Sequence, residues 1–365
     1  MFLYIISLEG DAEENTGVGK KVLSQMKVFN NAFKKAYCCS FGNQIAYFKD
    51  AQGNVIENRI VPSRKDYWDV VIYWVKKYEI KYVYIRQVKV HRYYLVALKR
   101  LNEMKTKIVT EIPSYPYDNI KQDNLSRIED QIYRKELKKY VDRITTYSSD
   151  KEIWNIKCIN LVNGIDVNEI PFIYKGADRK IDRIVMSCIS MAYPWHGYER
   201  IIKGLKNYFE NGGNRNIELY ITGEGSTINE YKLLVNQLEL EDRVFFTGVI
   251  DGEELDRLYE HTEIAIGTLG FYKIGIYEAS PIKIAEYCAR GILTVIGCRD
   301  LRFNGDESFL YFVDNDETVL DVRNIIEFFD KSVIVDNNIK IRKYAEKNLS
   351  WDSIMRPVIS YYLDK

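Results

Sequence analysis

The chain has 365 residues, more than one hydrophobic core of ordinary size organises, so two domains are expected. Hydrophobic residues make up 46% and charged residues 28%, a balance that excludes a disordered chain. Equal numbers of basic and acidic residues (52 each) exclude a general polyanion binder, and no apolar run approaches the roughly 20 residues that span a bilayer.

The apolar start from Phe2 to Ile6 has no basic residues ahead of it and stops before Glu9, so Leu3 to Ser7 reads as a first strand and not as a signal peptide. Lys20 to Lys34 then places Val22, Leu23, Met26, Phe29 and Phe33 on one helical face. Ala36 to Phe41 and Gln44 to Phe48 read as strands around a Gly42-Asn43 turn. Trp68, Val71, Ile72 and Val75 mark a helix, followed by the strand Tyr82 to Ile85. Helix returns at Tyr94 to Leu101, strand at Lys107 to Thr110, and a longer helix over about Asn124 to Tyr140. The strand Arg143 to Thr146 and the segment Cys158 to Val162 close this half. After the polar stretch Lys175 to Lys180 the pattern restarts, with strands at Arg183 to Ile189, Ile217 to Thr222, Val244 to Thr247, Ile264 to Gly267 and Leu293 to Ile296. Asp251 and Glu254 suggest an N-cap with a capping-box partner. Such alternation predicts two doubly wound α/β domains, 1–172 and 173–350, with a linker near 168–181. The amphipathic segment Trp351 to Leu363, within 351–365, is expected to return to the first.

Charge is unevenly placed. Up to Phe172 there are 28 Lys+Arg against 21 Asp+Glu; the remainder has 24 against 31. A basic front half favours an anionic lipid-linked substrate or an anionic membrane surface, against the plainer reading of scattered solvated lysines. Cys38, Cys39, Cys158, Cys188, Cys288 and Cys298 show neither metal nor disulfide spacing, as expected of reduced core residues in a cytoplasmic protein.

Open α/β sheets bind ligands outside the carboxyl ends of their strands. The most informative stretch there runs from Glu278 to Glu286. Pro281 suits a first helical turn, which leaves the amides of Ile282 and Lys283, just after Ser280, aimed at an anion. Lys283 adds a full charge. Glu286 could accept from two ribose hydroxyls, and Glu278 could meet a sugar hydroxyl. The bland reading is a surface helix with incidental carboxylates. Gly223-Glu224-Gly225 closes a strand and opens a helix, a turn that lets backbone approach a ligand. Another strand ends at Gly248 and Val249. Met191 to Tyr198 joins a strand to a helix, with Trp195 or His196 aimed at phosphate or packing the loop. Gly17-Val18-Gly19-Lys20-Lys21 suggests a phosphate loop, but Glu14 breaks the pattern, and no dinucleotide fingerprint follows a strand. His91 and His261 read as helix-end residues. Arg86 ends a strand at the expected ligand edge.

In their order and spacing these motifs resemble retaining GT-B glycosyltransferases of the family 4 type, over nearly the whole chain. The matching residues are Gly17-Val18-Gly19, Asn163-Gly164-Ile165-Asp166, Trp195-His196-Gly197, Gly223-Glu224-Gly225, Val244 to Gly248, Glu278 to Gly291 and Ser350-Trp351. Glu111 to Tyr117 is similar to a subgroup of bacterial surface-polysaccharide enzymes. The resemblance implies two Rossmann-like domains facing a central cleft. It implies transfer of a hexose-type sugar, with retention, from a nucleotide diphosphate sugar, a UDP-sugar first, to a glycan, lipid-linked or protein-linked acceptor. No cofactor is implied beyond that donor, and the place of work is the cytoplasm or the inner face of the cytoplasmic membrane.

By the same resemblance Glu286 meets the ribose, Glu278 the donor sugar, and the amides of Ile282 and Lys283 the diphosphate. Ser280, Pro281, Gly197, Gly223 and Gly225 line the donor, with base contacts near Gly248 and Val249. The acceptor lies near Gly17, Gly19 and Arg86. Lys283, His196, Glu278 and Glu111 are the catalytic candidates. The chain departs from the family pattern where Ser190 takes the usual arginine position, His196 the lysine position and Glu111 that of a first-domain histidine. With three histidines and no metal implied by the resemblance, helix amides and cations must meet the leaving-group charge. A nucleotide-sugar epimerase of the same fold and a non-catalytic partner of another transferase are the competing readings.

Overall fold

The computed structural model describes residues 1–6, 17–86, 89–113, 115–117, 124–176, 181–333 and 337–364. Ser7, Glu9, Glu14, Ser114 and Ala177 to Lys180, named above, lie outside the described residues. Two compact units form: Met1–Val162 with Trp351–Lys365, and Asn163–Ser350. The division falls upstream of the polar stretch because the intervening residues pack with the second unit. The Asn163 amide donates to Ser280 Oγ at 3.4 Å, Ile165 bridges Ser350, and Ile165 and Val167 enter the second core.

The first unit holds β1 (Phe2–Ile6), β2 (Ala36–Gly42), β3 (Ile45–Asp50), β4 (Val55–Ile60), β5 (Tyr82–Arg86), β6 (Lys107–Ile112), β7 (Arg143–Thr146), β8 (Glu152–Ile153) and β9 (Ile156–Asn160). Their order is β4-β3-β2-β1-β5-β6-β7-β9-β8, parallel from β2 through β1 to β9 and antiparallel at both margins. All five residues of β1 are buried, as a strand covered on both faces requires. The helices are α1 (Gly17–Ala32), α2 (Arg64–Lys77), α3 (Arg92–Glu103) and α4 (Asn124–Tyr133). Ser63 caps α2 by accepting from the Asp66 amide at 3.2 Å. The long helix expected to Tyr140 ends at Tyr133 and tightens into a 3-10 segment, Arg134–Lys139, that buries Leu137. Gly17 and Gly19 lie in the first turn of α1 and not in a loop.

The second unit is wholly parallel. Its strands β10 (Ile184–Ile189), β11 (Ile217–Thr222), β12 (Val244–Gly248), β13 (Ile264–Ile266), β14 (Leu293–Ile296) and β15 (Leu310–Phe312) run in the order β12-β11-β10-β13-β14-β15. The order reverses between β10 and β13, the place where such sheets open a crevice. The helices are α5 (Glu199–Glu210), α6 (Ile228–Gln237), α7 (Gly252–His261), α8 (Ile282–Arg290), α9 (Val322–Val333) and α10 (Asn337–Tyr344). Asp251 has the extended backbone of an N-cap before α7, but its carboxylate makes no capping bond, so the expected box does not form.

Beyond Ser350, α11 (Trp351–Leu363) belongs to the first unit, as its amphipathic pattern suggests. Trp351, Met355, Val358 and Tyr362 join the core made by Val22, Met26 and Phe29 of α1. The Tyr362 hydroxyl donates to the Val83 carbonyl at 2.6 Å, and Lys107 Nζ donates to the Tyr362 carbonyl at 3.2 Å.

Candidate functional site

The exits of β10, β11, β12 and β13 are stitched into one layer at the carboxyl edge of the second sheet. After β10, residues Pro194–His196 make a 3-10 turn that Gly197 closes at φ 66°. A Cβ there would stand 2.7 Å from the Gly270 nitrogen, so only glycine permits the contact. The Leu269 amide donates to the His196 carbonyl at 2.9 Å and the Gly270 amide to that of Trp195 at 3.1 Å. After β11, the Gly223 amide donates to the Gly248 carbonyl and the Ala192 amide to that of Glu224, each at 2.7 Å. A Cβ on Gly225, at φ 150°, would stand 2.2 Å from the Ala192 carbonyl oxygen. These glycines therefore let two protein loops meet, where the sequence suggested close approach to a ligand. Gly248, at φ 70°, leads to an exposed Val249.

Helix α8 starts beside this layer. Pro281 is its N-cap and supplies no side-chain acceptor, so the first amides, at Ile282 and Lys283, lack a side-chain cap. The start is braced from behind by Arg302, whose Nη2 donates to the Pro281 carbonyl at 2.7 Å and Nη1 to the Asn163 carbonyl at 3.2 Å. Arg302 also pairs with Asp300 at 2.5 Å, both side chains being almost wholly buried. Ser280 is taken up by Asn163, which donates to both its hydroxyl and its carbonyl at 3.4 Å, so it serves as an anchor of the turn. Glu278 is exposed; its carboxylate accepts from Arg299 Nη1 at 3.1 Å, and its backbone bridges Arg299. Glu286 is half-buried one turn into α8.

Lys283 points from this first turn towards Tyr198. Its Nζ donates to the Tyr198 hydroxyl at 3.3 Å and lies 5.6 Å from that ring centre. Burial lowers its pKa to about 8, and no carboxylate is among its described partners. Tyr198 is fully buried, with its hydroxyl 2.6 Å from Ser190 Oγ. The Tyr287 hydroxyl, also on α8, donates to the Ile189 carbonyl at 3.2 Å. His196 is buried against Tyr198, with ring centres 5.5 Å apart, and its Nδ1 accepts from the Tyr193 amide at 3.1 Å. Burial first, then the Lys283 charge, push its pKa down to about 3. At neutral pH it is an uncharged loop-packing residue and supplies no cation to a phosphate.

In the first unit, Arg86 and Glu111 face each other in register at the ends of β5 and β6. Glu111 is fully buried; it pairs with Arg86, accepts from Lys21 Nζ at 3.3 Å and from the Tyr84 hydroxyl at 2.6 Å. Burial alone would raise its pKa, but the charges of Lys21 and Arg86 outweigh that and hold it below the ordinary carboxylate range. A carboxylate so enclosed is a structural anion, which removes the expected catalytic role of Glu111 and occupies Arg86. Among the described residues, no group of three or more His, Cys, Asp or Glu side chains gathers to hold a metal, and no helix is long and apolar enough to cross a membrane.

The structure thus places Ile282, Lys283, Glu286, Gly197 and Ser190 on one unit, with Lys283 and Ser190 meeting at the Tyr198 hydroxyl, and encloses Glu111. Tyr198 and the Arg302–Asp300 brace were not anticipated as functional residues. Tyr198 reads as one more aromatic in the sequence, and a brace made across 21 residues of chain has no local periodicity.

With this geometry in place, comparison with known proteins assigns the class. Residues 173–301 match the family described as Glycosyl transferases group 1, and no curated protein matches. The chain is similar in fold to a glycosyltransferase from Rickettsia africae, with a TM-score of 0.64 and 12% identity over 100% of this chain and 99% of that one. Anabaena HepE in complex with UDP gives a TM-score of 0.61 at 12% identity, covering 99% of each chain. Sucrose-phosphate synthase from Thermosynechococcus elongatus gives 0.60 at 13%, covering 99% of this chain and 98% of that one. The architecture is GT-B, two parallel-sheet α/β domains with flanking helices. The protein is a glycosyltransferase.

Proposed function

We propose that the second unit binds a nucleotide diphosphate sugar at the start of α8, and that the protein passes the hexose-type sugar, with retention and without a metal, to a glycan, lipid-linked or protein-linked acceptor. The Lys283 ammonium carries this reading. It is half-buried at the first turn of a helix whose amides have no side-chain cap, and its described partner is a phenol. A partly desolvated cation calls for a counter-charge, and a diphosphate supplies one while accepting from the Ile282 and Lys283 amides.

Glu286 meets the ribose hydroxyls, the exposed Glu278 meets the donor sugar, and the backbone at Gly248 and Val249 borders the base. HepE has been solved with UDP, with UDP and glucose and with UDP-glucose, which supports a uridine donor. As the sugar–phosphate bond lengthens, the sugar becomes oxocarbenium-like and the departing phosphate gains negative charge. That charge is met by helix amides and Lys283. The acceptor hydroxyl attacks from the same face while the departing phosphate takes its proton, so no nucleophilic side chain is needed. The surplus of basic residues up to Phe172 favours an acceptor on an anionic lipid at the inner face of the cytoplasmic membrane.

Incubation of the pure protein with UDP-, GDP-, ADP- and CMP-sugars tests the reading. Slow hydrolysis of one donor, retained in EDTA, is expected. Conversion of a donor to another nucleotide sugar would point to the epimerase, and failure to bind any donor would refute the site.

A further inference from the structure

The hydrogen bonds around Tyr198 take their direction from what each group can donate. Lys283 Nζ is a donor only, so at 3.3 Å it gives a hydrogen to the Tyr198 oxygen. The phenol hydrogen then needs an acceptor, because Tyr198 is fully buried and an unmade bond there is costly. Ser190 Oγ, at 2.6 Å, is the acceptor in reach. Ser190 therefore receives a hydrogen from Tyr198 and keeps its own to give elsewhere. Its side chain has no other described partner, and the residue is only half-buried at the exit of β10. The same strand end is tied to α8 through Tyr287 and the Ile189 carbonyl, so Ser190 and the first turn of α8 are held on one frame.

We propose that Ser190 is a second side-chain donor to the bound diphosphate, and that Tyr198 is the positioning residue that aims both it and Lys283. This rests on the reading of the α8 start as a diphosphate site. One phenol then orients two groups: it accepts from the ammonium, which fixes the stem of Lys283, and donates to the serine, which leaves the serine hydrogen to be given elsewhere. The arrangement supplies a neutral donor where the resembled family has an arginine. Discrimination follows: a neutral hydroxyl gives less to a dianionic phosphate than a guanidinium does, which leaves Lys283 as the dominant charge.

Calorimetric titration of the full chain with UDP, GDP and ADP, at several pH values, tests this. Ser190→Ala should weaken binding of the preferred diphosphate about tenfold, as loss of a hydrogen bond to a charged group does, while Ser190→Thr, which keeps the hydroxyl, stays within about threefold. Tyr198→Phe removes the oxygen that stabilises the ammonium, so the fall in affinity on raising pH should begin at lower pH. If wild type binds and Ser190→Ala is unchanged, or Ser190→Thr is as weak as Ser190→Ala, the donor role is overturned while the diphosphate site stands. An unmoved pH limb in Tyr198→Phe overturns the positioning role; should that variant fail to fold, the serine pair alone decides. Wild type that binds no diphosphate overturns the site and this inference together.

Discussion

Burial lowers the pKa of both Lys283 and His196, and the Lys283 charge lowers that of His196 further. Burial pushes the Lys283 pKa down to about 8, and a bound diphosphate must raise that value. Nucleotide binding should therefore take up a proton around pH 8, and affinity should fall as pH rises from 7 to 9. Calorimetry in two buffers of different ionisation heat measures the uptake. Lys283→Arg, always charged, should flatten the profile, and Lys283→Ala should lower turnover more than affinity. Glu286→Ala should do the reverse, weakening nucleotide binding about tenfold through loss of a charge-assisted bond. His196 works through stability. Its pKa of about 3 lies below the unfolded value of 6.5, so the unfolded chain binds the extra proton. Stability from this residue is whole above pH 6.5 and declines as pH falls towards 3. Between pH 6.5 and 5, His196→Gln should show a shallower loss in denaturant midpoint than wild type; an unchanged slope would count against a buried neutral imidazole. The sequence offered His196 either as aimed at phosphate or as packing the loop. What it could not show is that the imidazole lies under Tyr198 with Nδ1 occupied, since that depends on residues brought together by the loop.

At the scale of elements, the start of α8 depends on Arg302. Arg302→Ala would strand Asp300 as an unpaired buried charge, at a cost of about 3–5 kcal/mol, and release the Pro281 carbonyl. Thermal unfolding should show the loss, and the Arg302→Leu/Asp300→Leu pair should recover much of it while nucleotide affinity stays reduced, because the turn remains unbraced. Affinity restored in the double variant would show that the brace is not needed for binding. Legibility follows burial here. β1, β5, β10 and β11 are apolar runs and were read from them, whereas β4, with a largely exposed VIENRI sequence at a sheet margin, and the three-residue β15 offer no such contrast. The site motif at Glu278 to Glu286 was legible because Pro281 and Gly291 punctuate a short helix. Glu111 was misread because its partners, Lys21 and Arg86, lie 90 and 25 residues away.

For the whole molecule, α11 is the member whose place matters most. It supplies Trp351, Met355, Val358 and Tyr362 to the core of a unit whose other residues end at Val162. Met355→Ala should cost about 2–5 kcal/mol and lower the melting of the first unit, with the second unit's nucleotide affinity unaffected. Equal loss of nucleotide affinity would show that the two units do not behave independently. The division into units was readable from the repeated pattern of strands and helices. Its position was not, because Asn163 and Ile165 declare their allegiance only through contacts with Ser280 and Ser350.

That one helix also sets an order of events during synthesis. The second unit is an uninterrupted stretch and needs nothing beyond residue 350. The half made first must wait for the half made second, its earliest strands standing with an unfilled groove until Trp351 to Leu363 arrives. Released chains truncated after Ser350 should thus carry a protease-resistant rear portion and a digestible front, the reverse of the order in which they were translated.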